Sequence, residues 1–387
     1  HYPYDRPPLS KQVLAGTWPP ERAVLADHGK LHALGVDVRV GRQVVSLDPD
    51  ARRIELDDGT VVEADGVVVA TGAHPRHLPG TEGMDGVTVL RTLDDAVALR
   101  ARVLAAGPGC RVVVVGAGFI GSEVASTCTG LGCRVTVVEA LPTPLAPVLG
   151  ELIGAACGAL HARHGVELIT GVGVAAVHPA DSVDGYGGLA EPGAHLSGAA
   201  GRVELVDGTS LPADVVVVGI GVVPTVDWLE GSGLTLEGGV VCDAALFAAD
   251  GVVAAGDVAR WTWRHHGEEE LVRIEHWEVA SQMGAAAARS LLAGRDRATA
   301  FDPVPYFWSD QYGLRIQVLG RPDPTDEVAV VDGSEDAEDG KFVAVYGRAG
   351  RLSAALAVSR PRQLMAFRPL LVAGASWEEA LALLPAG

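Results

Sequence analysis

The residues with the clearest chemical potential are three glycines and a carboxylate. Val112-Val-Val-Val-Gly116-Ala-Gly118-Phe-Ile-Gly121 reads as a buried strand, a glycine turn and the start of a helix, and Glu139 closes the next strand. Gly116 permits the tight turn, Gly118 lets the backbone approach a pyrophosphate, and Gly121 lets the helix pack on the strand. The pyrophosphate would sit at the positive helix end. Glu139 would accept hydrogen bonds from the adenosine ribose and repel a 2′-phosphate. No Arg or Lys follows in Ala140–Gly150, so NAD is favoured over NADP.

Other strands also end in glycine turns, at Thr71-Gly72, Gly219-Ile-Gly221 and Gly256-Asp257. Each alone is only a strand entering a turn. Cys128 and Cys133 have the C-x4-C spacing of a redox pair, but they fall where a small apolar residue packs a helix against a sheet, and core packing is the expectation. The five Cys are scattered and form no disulfide framework.

The elements that must hold these residues can be read along the chain. A helix-like stretch at Pro20–Leu34 and a short strand at Val36–Val40 follow a proline-rich entry. Arg53–Leu56, a turn at Asp57-Asp58-Gly59, and Thr60–Glu63 form a hairpin by alternation and turn chemistry. Thr92–Ala106 has helical period and stops at Gly107-Pro108-Gly109. From Cys110 the pattern is βαβ: strands at Val112–Val115, Val135–Val138 and Val166–Ile169, with helices at Phe119–Leu131 and Leu152–His164. Asp181–Gly201 reads as a loop inserted in a surface hairpin. Val203–Val206 and Thr209–Leu211 then repeat the first hairpin, and Asp214–Gly221 repeats the run at Asp65–Gly72. This duplication implies two dinucleotide-binding units. A helix at Glu278–Ala293 follows, and from about Pro305 the chain reads as a smaller α+β domain with an acidic hairpin tip at Asp332–Asp339.

The fold class expected is therefore α/β: two Rossmann-like dinucleotide-binding domains plus a smaller C-terminal α+β domain. A net charge of −19 argues against nucleic acid as a partner. No apolar run is long enough for a membrane span, the first residues lack the pattern of a signal peptide, and the cytoplasm is the expected location. No metal-ligand set is read from the sequence.

Taken together, Tyr4-Asp-Arg-Pro-Pro-Leu-Ser-Lys11, Ala70-Thr-Gly-Ala-His-Pro-Arg76, Leu90-Arg-Thr-Leu-Asp94, the stretch Gly116–Glu123, Gly219-Ile-Gly-Val-Val-Pro224, Ala255-Gly-Asp-Val-Ala259 and Glu275-His-Trp277 carry a resemblance. The chain resembles the FAD-dependent pyridine nucleotide oxidoreductases, and among them the ferredoxin reductases of oxygenase systems (the putidaredoxin and rubredoxin reductase type). The resemblance implies FAD and NAD as cofactors, hydride transfer from NADH to the flavin, and single electrons passed to a small iron–sulfur carrier, a ferredoxin or rubredoxin. It implies an FAD-binding domain in two parts, 1–107 and 238–304, an NAD-binding domain at 108–237, and an interface domain at 305–387.

Position by position, the resemblance implies that Arg6, Lys11, Val44, Thr71, Gly72, Arg91, Asp257 and Trp277 meet the FAD. It puts Gly116, Gly118, Gly121, Glu139 and Gly221 at the NAD. Lys11 and Glu123 would pair at the hydride site. Residue chemistry alone also allows Glu123 to be a solvated helix carboxylate and Trp277 a core aromatic. Five of the seven Trp lie between Trp228 and Trp308, and Arg260, Arg264 and Arg273 are interleaved with Trp261 and Trp263. That interleaving suits either a docking rim for an acidic [2Fe–2S] ferredoxin or a loop whose Trp residues close the flavin pocket.

The chain departs from the family in starting at the Pro-Pro-Leu-Ser-Lys segment, where relatives first carry an FAD-binding glycine loop. The expectation is weak FAD binding or none by the sequence as written, and an exposed sheet edge. The disulfide reductases of the same superfamily carry a Cys pair before the position of Gly107, where this chain has none. A truncated, non-catalytic NAD-binding scaffold or sensor is the alternative from a different class.

Overall fold

The computed structural model describes residues 1–180 and 200–383. Asp181–Ala199, the inserted loop apart from its last two residues, lies outside the described residues.

The valine runs make a five-stranded parallel sheet in the order Val87–Val89, Val215–Val218, Arg111–Val115, Arg134–Glu139, Glu167–Thr170. A parallel strand covered on both faces needs apolar side chains throughout. The burial follows: Val112 and Val114 pack with Leu99, Val124 and Cys128 on one face, and Val113 and Val115 pack with Val203 and Leu205 on the other. Thr92 caps the helix Leu93–Ala106 by a reciprocal bond with Asp95.

The duplication is realised twice in full. A three-stranded antiparallel sheet (Val44–Asp48, Arg53–Leu56, Val61–Glu63) precedes Val67–Val69, and a second one (Val174–Pro179, Ala200–Leu205, Ser210–Pro212) precedes Val215–Val218. Even the turns match: Asp58 Oδ1 accepts from the Thr60 N–H at 3.0 Å and Asp207 Oδ1 from the Thr209 N–H at 2.9 Å, across Gly59 and Gly208 at φ 80° and 86°. Val67–Val69 ends a sheet with Val252–Ala254 and Phe247–Ala249, and Val68 on it is exposed. The helix Trp277–Ala293 buries Val279, Met283 and Ala287 against that unit.

From Tyr306 a five-stranded antiparallel sheet runs Tyr306–Gln311, Leu314–Gly320, Arg351–Val358, Phe342–Arg348, Glu327–Gly333. Alternation divides it. Ile316, Val318, Tyr346 and Leu356 pack on Leu149, Ile153 and Leu160 of the nucleotide unit, whereas Leu319, Val343 and Ala355 pack under the helices Pro361–Ala366, Arg368–Ala373 and Trp377–Leu383. The acidic stretch joins two of its strands from Ser334 onward, as expected, but Asp332 lies within the strand Glu327–Gly333 and pairs with Arg360 at 2.8 Å.

Three local expectations change. Pro20–Leu34 is a turn of tight helix at Pro20–Ala23 followed by a separate helix at His28–Ala33, because Asp27 caps a new start by accepting from the Lys30 N–H. Val36–Val40 forms no strand: among the described residues no strand pairs with it, and Val36 and Val40 are exposed. The helix expected at Leu152–His164 is present and ends at Arg163, but a short helical turn from Ala146 precedes it across a break at Gly150 (φ 74°).

Candidate functional site

At the carboxyl end of the parallel sheet the glycine motif has the geometry its spacing requires. A Cβ on Gly121 would stand 2.0 Å from the Gly116 carbonyl oxygen, and one on Gly116 would stand 2.4 Å from that of Gly219. Gly116 is also at φ +99°, a conformation glycine adopts without penalty. Gly118 caps the helix Phe119–Gly130 with no side chain bonded to the free N–H groups, and a Cβ there would meet nothing within 4 Å among the described residues. The result is an open, positive helix end suited to a phosphate. Glu139 leans over this turn: Oε2 accepts from the Ala117 N–H at 2.8 Å and Oε1 from the Leu141 N–H at 2.9 Å. Gly221, at φ +93°, accepts the Arg76 N–H through its carbonyl at 2.9 Å, and a Cβ there would meet nothing within 4 Å among the described residues.

The second group gathers around Gly72, itself at φ +67°. A methyl there would lie 3.9 Å from both Arg6 Nη1 and Arg91 Nη2. Arg91 donates to Asp257 Oδ2 at 2.7 Å and to the Ala73 carbonyl at 2.9 Å. Burial, and next the charge of Arg91, pull the Arg6 guanidinium below its ordinary pKa. Thr71 donates to the Thr225 carbonyl at 2.8 Å, which ties this turn to the segment after Gly221. His276 Nδ1 is buried without a hydrogen-bond partner among the described residues. Two crowded guanidiniums and an orphaned ring nitrogen fit a polar, anionic cofactor.

Trp277 is 45% exposed, so it is no core aromatic; its indole N–H donates to Asp5 Oδ1 at 2.8 Å and its ring meets Trp308 edge-on at 6.1 Å. Val44 lies in the hairpin opposite Leu56, and no hydrogen bond links it to the arginine–aspartate group among the described residues.

Between the two groups stands a buried ion pair. The wide helical turn Leu9–Val13, closed by Val13 N–H to the Pro8 carbonyl at 2.9 Å, carries Lys11 to Glu123 on the first turns of the glycine-motif helix. Lys11 Nζ lies 2.6 Å from Glu123 Oε2, and their side chains are 12% and 3% exposed. Glu123 is therefore not a solvated surface carboxylate. Ser10 donates to the same oxygen at 2.5 Å, and Ser309, from the C-terminal sheet, donates to Oε1 at 2.7 Å. Sequence reading missed both serines; Ser10 directly precedes Lys11, and the buried alternation Phe307, Ser309, Gln311 was the available signal for the other.

The arginine–tryptophan rim does not exist as expected. In strand Ala259–His265 the even spacing sends Trp261 and Trp263 inward, where Trp261 donates to the Phe301 carbonyl at 3.1 Å. Arg260 pairs with Glu237 and Arg264 with its cross-strand partner Glu269, each at 2.8 Å, and Arg273 pairs with Glu275. The charges are locally matched, and the two rings belong to the core rather than to either a docking rim or a pocket wall. The five cysteines are free thiols; Cys128 is fully buried and Cys133 packs against the same core, as expected.

Two nucleotide-type units joined across a buried lysine–glutamate pair define the class: a two-dinucleotide oxidoreductase. A family model described as pyridine nucleotide-disulphide oxidoreductase matches residues 1–284, and one described as reductase C-terminal matches 306–385. The chain belongs to the pyridine nucleotide-disulphide oxidoreductase family. It is 37% identical over 376 residues to the anthranilate 1,2-dioxygenase system ferredoxin–NAD(+) reductase component of Burkholderia cepacia, covering 96% of this chain and 86% of that one. It is 34% identical over 371 residues to rhodocoxin reductase of Rhodococcus erythropolis, covering 95% and 81%. Among solved structures, the covalent putidaredoxin reductase–putidaredoxin complex superposes with a TM-score of 0.85 at 28% identity, covering 97% of this chain and 85% of that one. No helix among the described residues is long and apolar enough to cross a membrane.

Proposed function

We propose that this protein is an FAD-dependent NADH:ferredoxin oxidoreductase feeding an oxygenase. The observation that carries the reading is the buried Lys11–Glu123 pair, which links the flavin-side turn to the helix of the NAD motif. The names of the relatives, ferredoxin–NAD(+) reductase components of dioxygenase systems, support the acceptor class.

Residues 1–107 and 238–304 would hold FAD, 108–237 NAD, and 305–387 would form the interface domain. When bound, FAD supplies a two-electron acceptor for hydride that can release its electrons singly. Arg6, Arg91 and Asp257 would hold its polar chain, with Thr71 and Gly72 lining it, Val44 at its adenine end and Trp277 at its ring. Gly116, Gly118 and Gly121 would admit the NAD pyrophosphate to the helix end, Glu139 would select the unphosphorylated ribose, and Gly221 would let the nicotinamide half pass. Lys11 and Glu123 would keep the two rings in register, so proximity rather than a general base lowers the barrier. Five free thiols fit a reducing compartment, and we place the protein in the cytoplasm.

The absorption spectrum of the protein after loading with FAD, followed by NADH-driven reduction of a [2Fe–2S] ferredoxin, tests this reading. Flavin bands and ferredoxin reduction are expected. A colourless protein that binds NAD would instead favour the non-catalytic scaffold.

A further inference from the structure

One grip on Glu123 comes from the far domain. Ser309 is fully buried in strand Tyr306–Gln311 and donates to Glu123 Oε1 at 2.7 Å. Gln311, two residues on and therefore on the same face, donates its Nε2 to Ser309 Oγ at 3.0 Å. A hydroxyl has one proton. With Gln311 filling a lone pair, that proton points at the carboxylate. Lys11 and Ser10 hold the other oxygen, at 2.6 and 2.5 Å. Rotation of the carboxylate about its Cγ–Cδ bond would break bonds at both ends.

The strand that delivers Ser309 is pinned to the glycine-motif helix on both sides of that contact. Phe307 meets Phe119 edge-on at 4.8 Å, and the Tyr312 N–H donates to Ser126 Oγ at 2.7 Å. His161 extends the second contact, with Nδ1 2.7 Å from the Tyr312 hydroxyl and Nε2 3.2 Å from Ser122 Oγ. Phe119, Ser122, Glu123 and Ser126 share one face of the helix.

We infer that Ser309, oriented by Gln311, is a positioning residue for hydride transfer. It fixes the plane of the Glu123 carboxylate and, through it, the place of the Lys11 ammonium, so the hydride site is completed by the C-terminal domain. This rests on the reading of Lys11 and Glu123 as the hydride-transfer pair.

The test compares the flavin-loaded wild type with Ser309→Ala, Ser309→Thr, Glu123→Gln and the double variant S309A/E123Q. Two quantities are read: the limiting rate of flavin reduction by NADH in anaerobic rapid mixing, and the Kd of NAD+ by calorimetry. Loss of a hydrogen bond to a charged group predicts about a tenfold slower reduction in Ser309→Ala. NAD+ affinity should stay within about twofold, since the lost group acts on orientation rather than binding. Ser309→Thr, which keeps the hydroxyl, should return to within about twofold of wild type, and Ser309→Ala should add almost nothing on the Glu123→Gln background.

Wild-type reduction rates in Ser309→Ala alongside slow Glu123→Gln would overturn the inference alone. Wild-type rates in both would overturn the reading of the Lys11–Glu123 pair as well. A Ser309→Thr protein as slow as Ser309→Ala, or full additivity in the double variant, would show that Ser309 acts by packing. Should Ser309→Ala not fold, Gln311→Ala, which leaves the hydroxyl in place but frees its direction, must slow reduction in the same sense; an unchanged rate there would also overturn the inference.

Discussion

Lys11 and Glu123 meet at 2.6 Å, 112 positions apart in sequence, in a place where neither side chain is more than 12% exposed. Removing one member of a buried pair leaves the other without compensation, which typically costs about 3–5 kcal/mol. Ser10 and Ser309 still bond Glu123 when the cation is gone, so Lys11→Met should fall near the lower bound, about 3 kcal/mol by denaturant unfolding. Flavin reduction by NADH should slow in parallel. A Lys11→Met protein with wild-type stability would show that the pair contributes nothing to folding.

In the proposed function nucleotide choice rests on Glu139, whose two oxygens are fixed by the Ala117 and Leu141 N–H groups. A 2′-phosphate brought beside this carboxylate meets like charge, at a cost of about 3 kcal/mol or more, so kcat/KM should favour NADH over NADPH by at least about a hundredfold. Glu139→Arg should shift the preference toward NADPH. Equal kcat/KM values in the wild type would remove Glu139 from this role.

Asp257 accepts from Arg91 beside a second guanidinium, Arg6. Asp257→Ala removes both the acceptor and the nearest negative charge. Flavin retention should drop by about 1–3 kcal/mol of binding free energy, read as flavin released on dilution. Unchanged occupancy would contradict the assignment.

His161 links the helix of the NAD motif to the C-terminal domain, and burial lowers its pKa to about 4. Below the ordinary imidazole value of about 6.5 the unfolded chain takes up a proton that the native one refuses. Its contribution is therefore complete above about pH 6.5 and is lost as pH falls toward 4, reaching about 3 kcal/mol. His276, also lowered to about 4 by burial, titrates in the same direction. Unfolding free energies measured from pH 7 to pH 4 should fall less steeply in His161→Gln than in wild type. Parallel curves would show that His161 takes up its proton as readily in the native state as in the unfolded chain.

Much of this was legible in the sequence, because it depends on local signals. The valine runs could only be strands buried on both faces, and Gly116, Gly118 and Gly121 announced a glycine turn because they follow a strand, open a helix and are answered by Glu139 at the end of the next strand. The duplication was visible because Asp58 and Asp207 specify the same turn. Apart from the local cap at Asp27 that divides Pro20–Leu34, what failed depended on partners distant in sequence. Val36–Val40 has strand composition but no strand beside it among the described residues. Beside Arg264, Trp261 and Trp263 suited either a docking rim or a loop closing the flavin pocket, but the pleat turned the rings inward and Glu269 took the charge. Ser309 was passed over because the alternation Phe307, Ser309, Gln311 marks a shared face of the strand but not the carboxylate that face meets from another domain.

If NADH reduces a flavin held in this protein and the electrons then leave singly, both steps can be watched in one vessel. The most direct measurement is anaerobic addition of one equivalent of NADH to the flavin-loaded protein, followed by oxidised [2Fe–2S] ferredoxin. Full bleaching of the flavin bands by a single equivalent is expected, slowed when the transferred hydrogen of NADH is deuterium. The bands should then recover as two equivalents of ferredoxin are reduced. Flavin bands that persist in excess NADH, or that bleach but are not restored by ferredoxin, would contradict this function.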